Sequence, residues 1–351
     1  MPTAAPEPLR ASGSPFQFRW RLRLLALVLT AGLLGLALSR VNLAEVLAAL
    51  RHLDVWSLAA LAGVNLVILV LMCLRWHLIL RRLGSPVALA RLILYRLGAN
   101  AISFLTPGPQ FGGEPYQILQ LTRRHGLAAD AAAASVVVDR LMEVAANFLL
   151  LAAGGAWILR QGFPEFSPPA GVLAPLGVVP LALGGILAVQ SRGRRPLSVL
   201  VRGLLKHWTA APRLEAAARW LAAAEGQAGV ALAQPPGVHL AYAGTAALHW
   251  LGIAAEIWLV YCFLGAPLGL TPLVTVVVAA RLAFLVPVPG GLGALEASQA
   301  LILPALGLDP ALGLAACCLF RARDFLLVGL GAGLGCAAMG GPRRSLAGNG
   351  A

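Results

Sequence analysis

The stretch SVVVDRLMEVAANFLLL, residues 135–151, sets Asp139, Arg140, Glu143 and Asn147 into an otherwise apolar run. Each residue of a helix turns by about 100°, so the four share one stripe and leave the remaining surface apolar. A charge held at membrane depth costs about 2.5–3.5 kcal/mol on insertion scales, so such groups face one another or a polar cavity. Two readings stay open for the stripe: an internal Arg140–Glu143 pair that only locks helices together, or the lining of a cavity.

A second charged set lies in LFRARDFLLVG, residues 319–329. Arg321 and Asp324 are three apart and can pair along one helix face. Arg323 points to the other side and needs an acid from elsewhere, with Glu296, Glu114 and Glu256 as candidates. Glu256 shares an approximate helix face with His249 in LHWLGIAAEIWLVY.

The third set combines helix breakers with a carboxylate. FLVPVPGGLGALEASQALIL, residues 284–303, is as apolar as a membrane span, yet it holds Pro-Val-Pro-Gly-Gly and then Glu296. A half-helix restarting near Gly290 and Gly291 offers unpaired amides and a positive dipole end to an anion such as a lipid phosphate. GGEPYQILQL, which contains Glu114, offers the same from the first half of the chain, and Arg281 and Arg96 on the entering limbs add cations.

These residues must be positioned inside a bilayer. Of the 351 residues, 59% are hydrophobic and 12% charged, and the mean hydropathy is +0.81; soluble domains carry about 25% charged residues. The formal charge of +13 comes from arginines clustered between apolar runs. That pattern is a topology signal rather than the basic face of a nucleic-acid binder.

Six stretches are long and apolar enough to span: 22–39, 55–74, 131–159, 171–190, 238–262 and 310–338. The first follows a basic start and resembles a signal peptide, but no small-residue cleavage site follows, so it reads as an uncleaved span. Two further stretches, 92–121 and 273–303, are interrupted by TPGPQFGGEP and PVPGG. Proline removes a backbone donor and glycine loosens a helix, so both read as re-entrant hairpins rather than straight spans.

Arginines flank the first hairpin on both sides: Arg75, Arg81, Arg82 and Arg91 before it, Arg123 and Arg124 after it. Both flanks are therefore expected in the cytoplasm. The second hairpin has the neutral LGAPLGLTP and the segment ALGLDPAL as flanks, and it is expected to enter from the opposite face. FLTPGPQFGGE and FLVPVPGGLGALE match in Phe, Leu and both prolines at a constant offset, 104 to 284 and 109 to 289. The expected fold is an all-α integral membrane protein of about six transmembrane helices plus two re-entrant helical hairpins in an inverted-topology repeat, a common ground plan of transporters.

The organisation that follows is a cytoplasmic tail at 1–20, a membrane half at 21–190 and an amphipathic cytoplasmic connector at 191–236. A second half at 237–340 and a cytoplasmic tail at 341–351 complete it. The five cysteines lack zinc-ligand spacing, and no P-loop, H-E-x-x-H or nucleophile-elbow motif occurs. GGLGALE is not a dinucleotide loop, because two prolines precede it where a buried strand belongs and its third glycine is missing. No cofactor, no metal and no enzymatic activity are expected.

LRWHLILRRLG, GANAISFLTPGPQFGGEPYQILQLTRR, SVVVDRLMEVAANF, FLVPVPGGLGALEASQALIL and LFRARDFLLVGLGAGLG resemble the lysylphosphatidylglycerol synthase transmembrane-domain family, also called flippase-like, over approximately residues 20–338. In the larger relatives a soluble aminoacyl transferase follows this domain, and the membrane part moves the lipid product across the bilayer. No such transferase is expected here. The family often carries arginine three residues after the first hairpin acid, where this chain has Gln117.

The resemblance and the charged stretches together imply a multi-pass protein of the bacterial inner (cytoplasmic) membrane, with both termini cytoplasmic, that translocates lipid. Glu114, Asp139, Arg140, Glu143, Arg281, Gly290, Gly291, Glu296, Arg321 and Asp324 are expected to line its path. The partners expected are membrane lipids bearing a phospholipid or polyprenyl/glycolipid headgroup, a separate lipid-modifying enzyme and a second copy in a homodimer, with no nucleic acid. The alternative is a non-transporting scaffold for a lipid-modifying or glycosyl-transferring enzyme.

Overall fold

The computed structural model describes residues 43–51, 53–106, 112–161, 170–205 and 212–340, with Gly32 and Gly35. Every regular element among them is helical. A short helix α1 (Leu43–Leu50) precedes α2 (Val55–Arg82), which starts where the Asp54 carboxylate accepts the Ser57 amide at 2.7 Å, an N-cap. α3 (Leu89–Leu105) and α4 (Glu114–His125) form the limbs of the first interrupted stretch. Pro115 suits the first turn of α4, where its missing N–H costs nothing, and Arg123, Arg124 and His125 sit in the last turn, where cations complement the dipole.

α5 (Ala129–Arg160) and α6 (Ala170–Ser191) complete the first half, and α7 (Pro196–Leu205) and α8 (Pro212–Leu232) connect it to the second. There α9 (Pro236–Phe263) leads into α10 (Leu270–Ala283), a 3-10 turn at Pro289–Gly291, α11 (Ala294–Ala305) and α12 (Pro310–Gly340). α2 and α9 are long and apolar enough to cross a membrane. Helices also cover the expected spans 131–159, 171–190 and 310–338, whereas the span at 22–39, both tails and the first hairpin's tip at 107–111 lie outside the described residues.

Packing links the elements in two matching sets. In the first half α2 touches α3 and α5, α3 touches α4, and α4 touches α5; in the second α9 touches α10 and α12, α10 touches α11, and α11 touches α12. Between the halves α2 lies on α9, α3 on α12 and α10 on α5. The α3–α12 crossing is a backbone contact, since a Cβ at Gly331 would stand 2.2 Å from the Leu97 carbonyl oxygen. Leu66, Leu181, Leu251 and Leu326 stay exposed on the outside, the surface a bilayer requires.

The connector expected at 191–236 is itself helical among its described residues. It holds two helices, and α8 docks on α5 and α6. Its docked face is made of Ala222, Ala228 and Ala231, side chains short enough to let helices approach closely. Glu225 is buried on this helix and accepts from Leu197 N at 2.9 Å, Ser198 N at 2.7 Å, the Ser198 hydroxyl and Gln190 Nε2 at 3.3 Å. Burial raises its pKa, but the Ser198, Leu197 and Gln190 hydrogen bonds outweigh that and hold the carboxyl below its ordinary range.

Candidate functional site

Each hairpin acid closes its own helix. Glu296 sits one turn into α11 and accepts from the Gly293 amide at 2.9 Å; Glu114 opens α4 and accepts from the Gly112 amide at 2.7 Å. The Gly113 amide goes to Ser103 Oγ at 2.9 Å and the Gly291 amide to the Val288 carbonyl at 3.1 Å. These amides beside the tips are thus already taken by acceptors of the chain itself. A carboxylate two or three residues along reaches back and takes the donor first.

Both acids also meet an arginine of the next helix. Arg321 forks onto Glu296, with Nε to Oε1 at 2.6 Å and Nη2 to Oε2 at 3.0 Å, and it donates to the carbonyls of Gly290 at 2.7 Å and Gly291 at 2.9 Å. Those carbonyls are turned by positive φ at Gly290 (57°) and Gly291 (65°), a conformation glycine adopts at no steric cost. Arg321 stands 3.6 Å from Asp324, a looser pair than the one with Glu296. In the first half Arg140 stands 3.3 Å from Glu114 and 3.1 Å from Glu143.

Deeper pairs tie α5 and α12 to the other helices. Asp139 is 1% exposed and receives two arginines, Arg75 Nε on Oδ1 and Arg96 Nη2 on Oδ2, both at 2.6 Å. Arg323 reaches α9, donating to Glu256 at 2.5 Å and to its neighbour Asp324 at 2.8 Å. Asn65 of α2 donates to the same Glu256 oxygen at 2.9 Å. Of the three acids that the sequence offers Arg323, packing selects Glu256, because α9 lies beside α12 while Glu114 and Glu296 are held by Arg140 and Arg321.

Between the halves lies a cavity of about 210 Å³. Arg96, Arg140, Arg281, Arg323, Glu143, Glu256 and Asp324 line it, with Gly290, His249, Trp250, Asn65 and Asn100. Glu114, Asp139, Gly291, Glu296 and Arg321 stand behind this wall and hold it through the pairs above. Arg281 differs from the other arginines. Its guanidinium lies 5.0 Å from the Trp250 ring centre and 5.5 Å from that of Phe284, and among the described residues it has no carboxylate within 4 Å.

Sequence reasoning missed several residues of this site, Asn100 and Trp250 of the lining as well as Arg75 and Asn65. Arg75 reads as part of the cytoplasmic arginine cluster, yet it is 1% exposed and bound to Asp139. Its distance from Arg81 was the available signal, since six residues place it more than one helical turn deeper. Asn65 carries no charge and stands alone in an apolar helix, so nothing in its type or spacing singles it out.

Comparisons with known proteins agree with this membrane architecture. A membrane protein of Methanothermobacter thermautotrophicus, described as a UPF0104 membrane protein, is 25% identical over 322 residues, covering 86% of this chain and 92% of the relative. No solved structure gives a significant match. The family described as the lysylphosphatidylglycerol synthase transmembrane region matches residues 23–332, and the chain belongs to that family.

Proposed function

We propose that the protein binds the polar or anionic headgroup of a membrane lipid in the central cavity and moves it between leaflets. The observation that carries this reading is the cavity itself, a charged pocket among helices whose outer faces are apolar. Its volume of about 210 Å³ falls below the roughly 300–1,000 Å³ of pockets that swallow a drug-sized ligand. A headgroup fits; acyl chains stay in the bilayer.

The matching contacts of α2–α5 and α9–α12 support an inverted repeat, with α3–α4 and α10–α11 as hairpins entering from opposite faces. The acid-to-arginine pairs follow the same plan, Glu114 with Arg140 in one half and Glu296 with Arg321 in the other. Two such halves rocking about a shared cavity open it to one leaflet at a time. The protein works in the cytoplasmic membrane with both tails in the cytoplasm.

Reconstitution tests the reading. Vesicles holding the purified protein and a fluorescent phospholipid should lose the protection of inner-leaflet label from an impermeant quencher faster than empty vesicles. Equal rates for every lipid class would end the transport reading.

A further inference from the structure

The connector carries one helix built inside out. On α7 the side turned toward the protein is polar: Ser198 is buried, and its amide, its hydroxyl and the Leu197 amide all donate to Glu225 of α8. The side turned away is apolar. At about 100° per residue, Val199, Gly203 and Leu200 fall on the arc opposite Ser198. Val199 is 71% and Leu200 60% exposed, and a Cβ at Gly203 would meet only open space. A helix bathed in water turns its apolar side inward and its polar side out.

Position and charge say what covers the outer face. α6 ends at Ser191 and α7 starts at Pro196, with Gly193 turning the chain between them at φ 74°. Because α6 covers the expected span 171–190, α7 begins within a few residues of the membrane surface. Arg192, Arg194 and Arg195 stand at this junction, all exposed, and none has a carboxylate within 4 Å among the described residues. Residues 191–236 hold two acids, and both are taken: Glu225 is buried, and Glu215 lies 3.6 Å from Arg219. An apolar ridge thus lies beside three cations that lack a counter-charge.

We propose that α7 is an interfacial anchor: Val199 and Leu200 enter the adjoining leaflet, while Arg192, Arg194 and Arg195 hold anionic lipid at its surface. This surface lies apart from the cavity and does not rest on the transport reading. Apolar burial and attraction to anionic lipid are the two forces that hold an amphipathic helix in an interface. Arginine stems lie along the apolar boundary while their guanidinium groups stay wet. Each cation near an anionic surface strengthens binding by about fivefold. A neutral leaflet would cover the ridge and leave the arginines without counter-charge. Glu225 joins α7 to α8, and α8 lies on α5 and α6, so the anchor is fixed to the first half.

The full chain in nanodiscs tests this. With the native thiols replaced, Val199→Cys carries an environment-sensitive fluorophore, in discs of phosphatidylcholine alone or of an equal mixture with phosphatidylglycerol. Doxyl lipid quenches from within the bilayer and acrylamide from water. In the mixed discs doxyl lipid should quench the label and acrylamide should not. In phosphatidylcholine discs, or with Arg192→Gln, Arg194→Gln and Arg195→Gln combined, acrylamide quenching should rise severalfold.

The triple variant should unfold in detergent at the wild-type temperature, because it breaks no ion pair, and this separates lost insertion from misfolding. Acrylamide quenching in the mixed discs would overturn the inference. Insertion that ignores both lipid charge and the three arginines would overturn it as well, leaving only an apolar contact. Protection from both quenchers would place a protein, such as a second copy, on the outer face and would overturn it too.

Discussion

Asp139 shows how a membrane protein can carry a charge at depth. It is 1% exposed and accepts from two arginines on two other helices, so neither partner can leave without stranding the rest. Breaking one side of a buried pair costs about 3–5 kcal/mol. Asp139→Asn and Glu296→Gln should therefore each lower the unfolding temperature in detergent, and an unchanged melting curve for both would show that the pairs are worth little. The i,i+3 pairs within α5 and α12 were legible in the sequence because spacing alone sets them. The choice of Glu256 for Arg323 and of Arg75 for Asp139 was not, because it depends on which helices pack together.

At the scale of elements, α4 and α11 are each closed by an acid on a glycine amide and tied to the next helix by an arginine. Pro-Gly segments and the shared Phe-Leu spacing made these interruptions readable, whereas the use of the tip amides by their own carboxylates was not, since that is a matter of local geometry. Helix approach also escaped sequence reasoning. A valine at Gly331 would push its side chain into the Leu97 carbonyl on α3, so Gly331→Val should destabilise the protein as measured by thermal unfolding, while Gly329→Val, where space is open, should not. The connector predicts a pH dependence. Because the folded-state pKa of Glu225 is depressed, its contribution is present above the ordinary carboxylate value near 4.3 and is lost as pH falls through the lower folded value. Glu225→Gln should therefore ease proteolysis at the turn between α6 and α7 at pH 7, and the difference from wild type should shrink in acid. A constant difference across that range would refute this.

For the whole molecule, the arginine map and the paired hairpin motifs led to an inverted repeat, and the two matching sets of helix contacts support that plan. The map carried one false entry, Arg75, because a positive-inside count cannot tell an arginine at the membrane surface from one a turn or more deeper. Single-cysteine variants made after replacing the native thiols test the orientation: Ser85→Cys should label from the cytoplasmic side and Ala266→Cys from the opposite side, whereas labelling from one side would rule out inversion. The headgroup path itself is tested most directly by plugging the cavity. Asn100 lines it and makes no ion pair, so Asn100→Trp fills the space while leaving the charged network intact. In vesicles with a fluorescent phospholipid, wild type should exchange the label between leaflets faster than empty vesicles and Asn100→Trp should fall back to the empty-vesicle rate. Exchange by Asn100→Trp at the wild-type rate, with the variant folded, would contradict passage of the headgroup through this cavity.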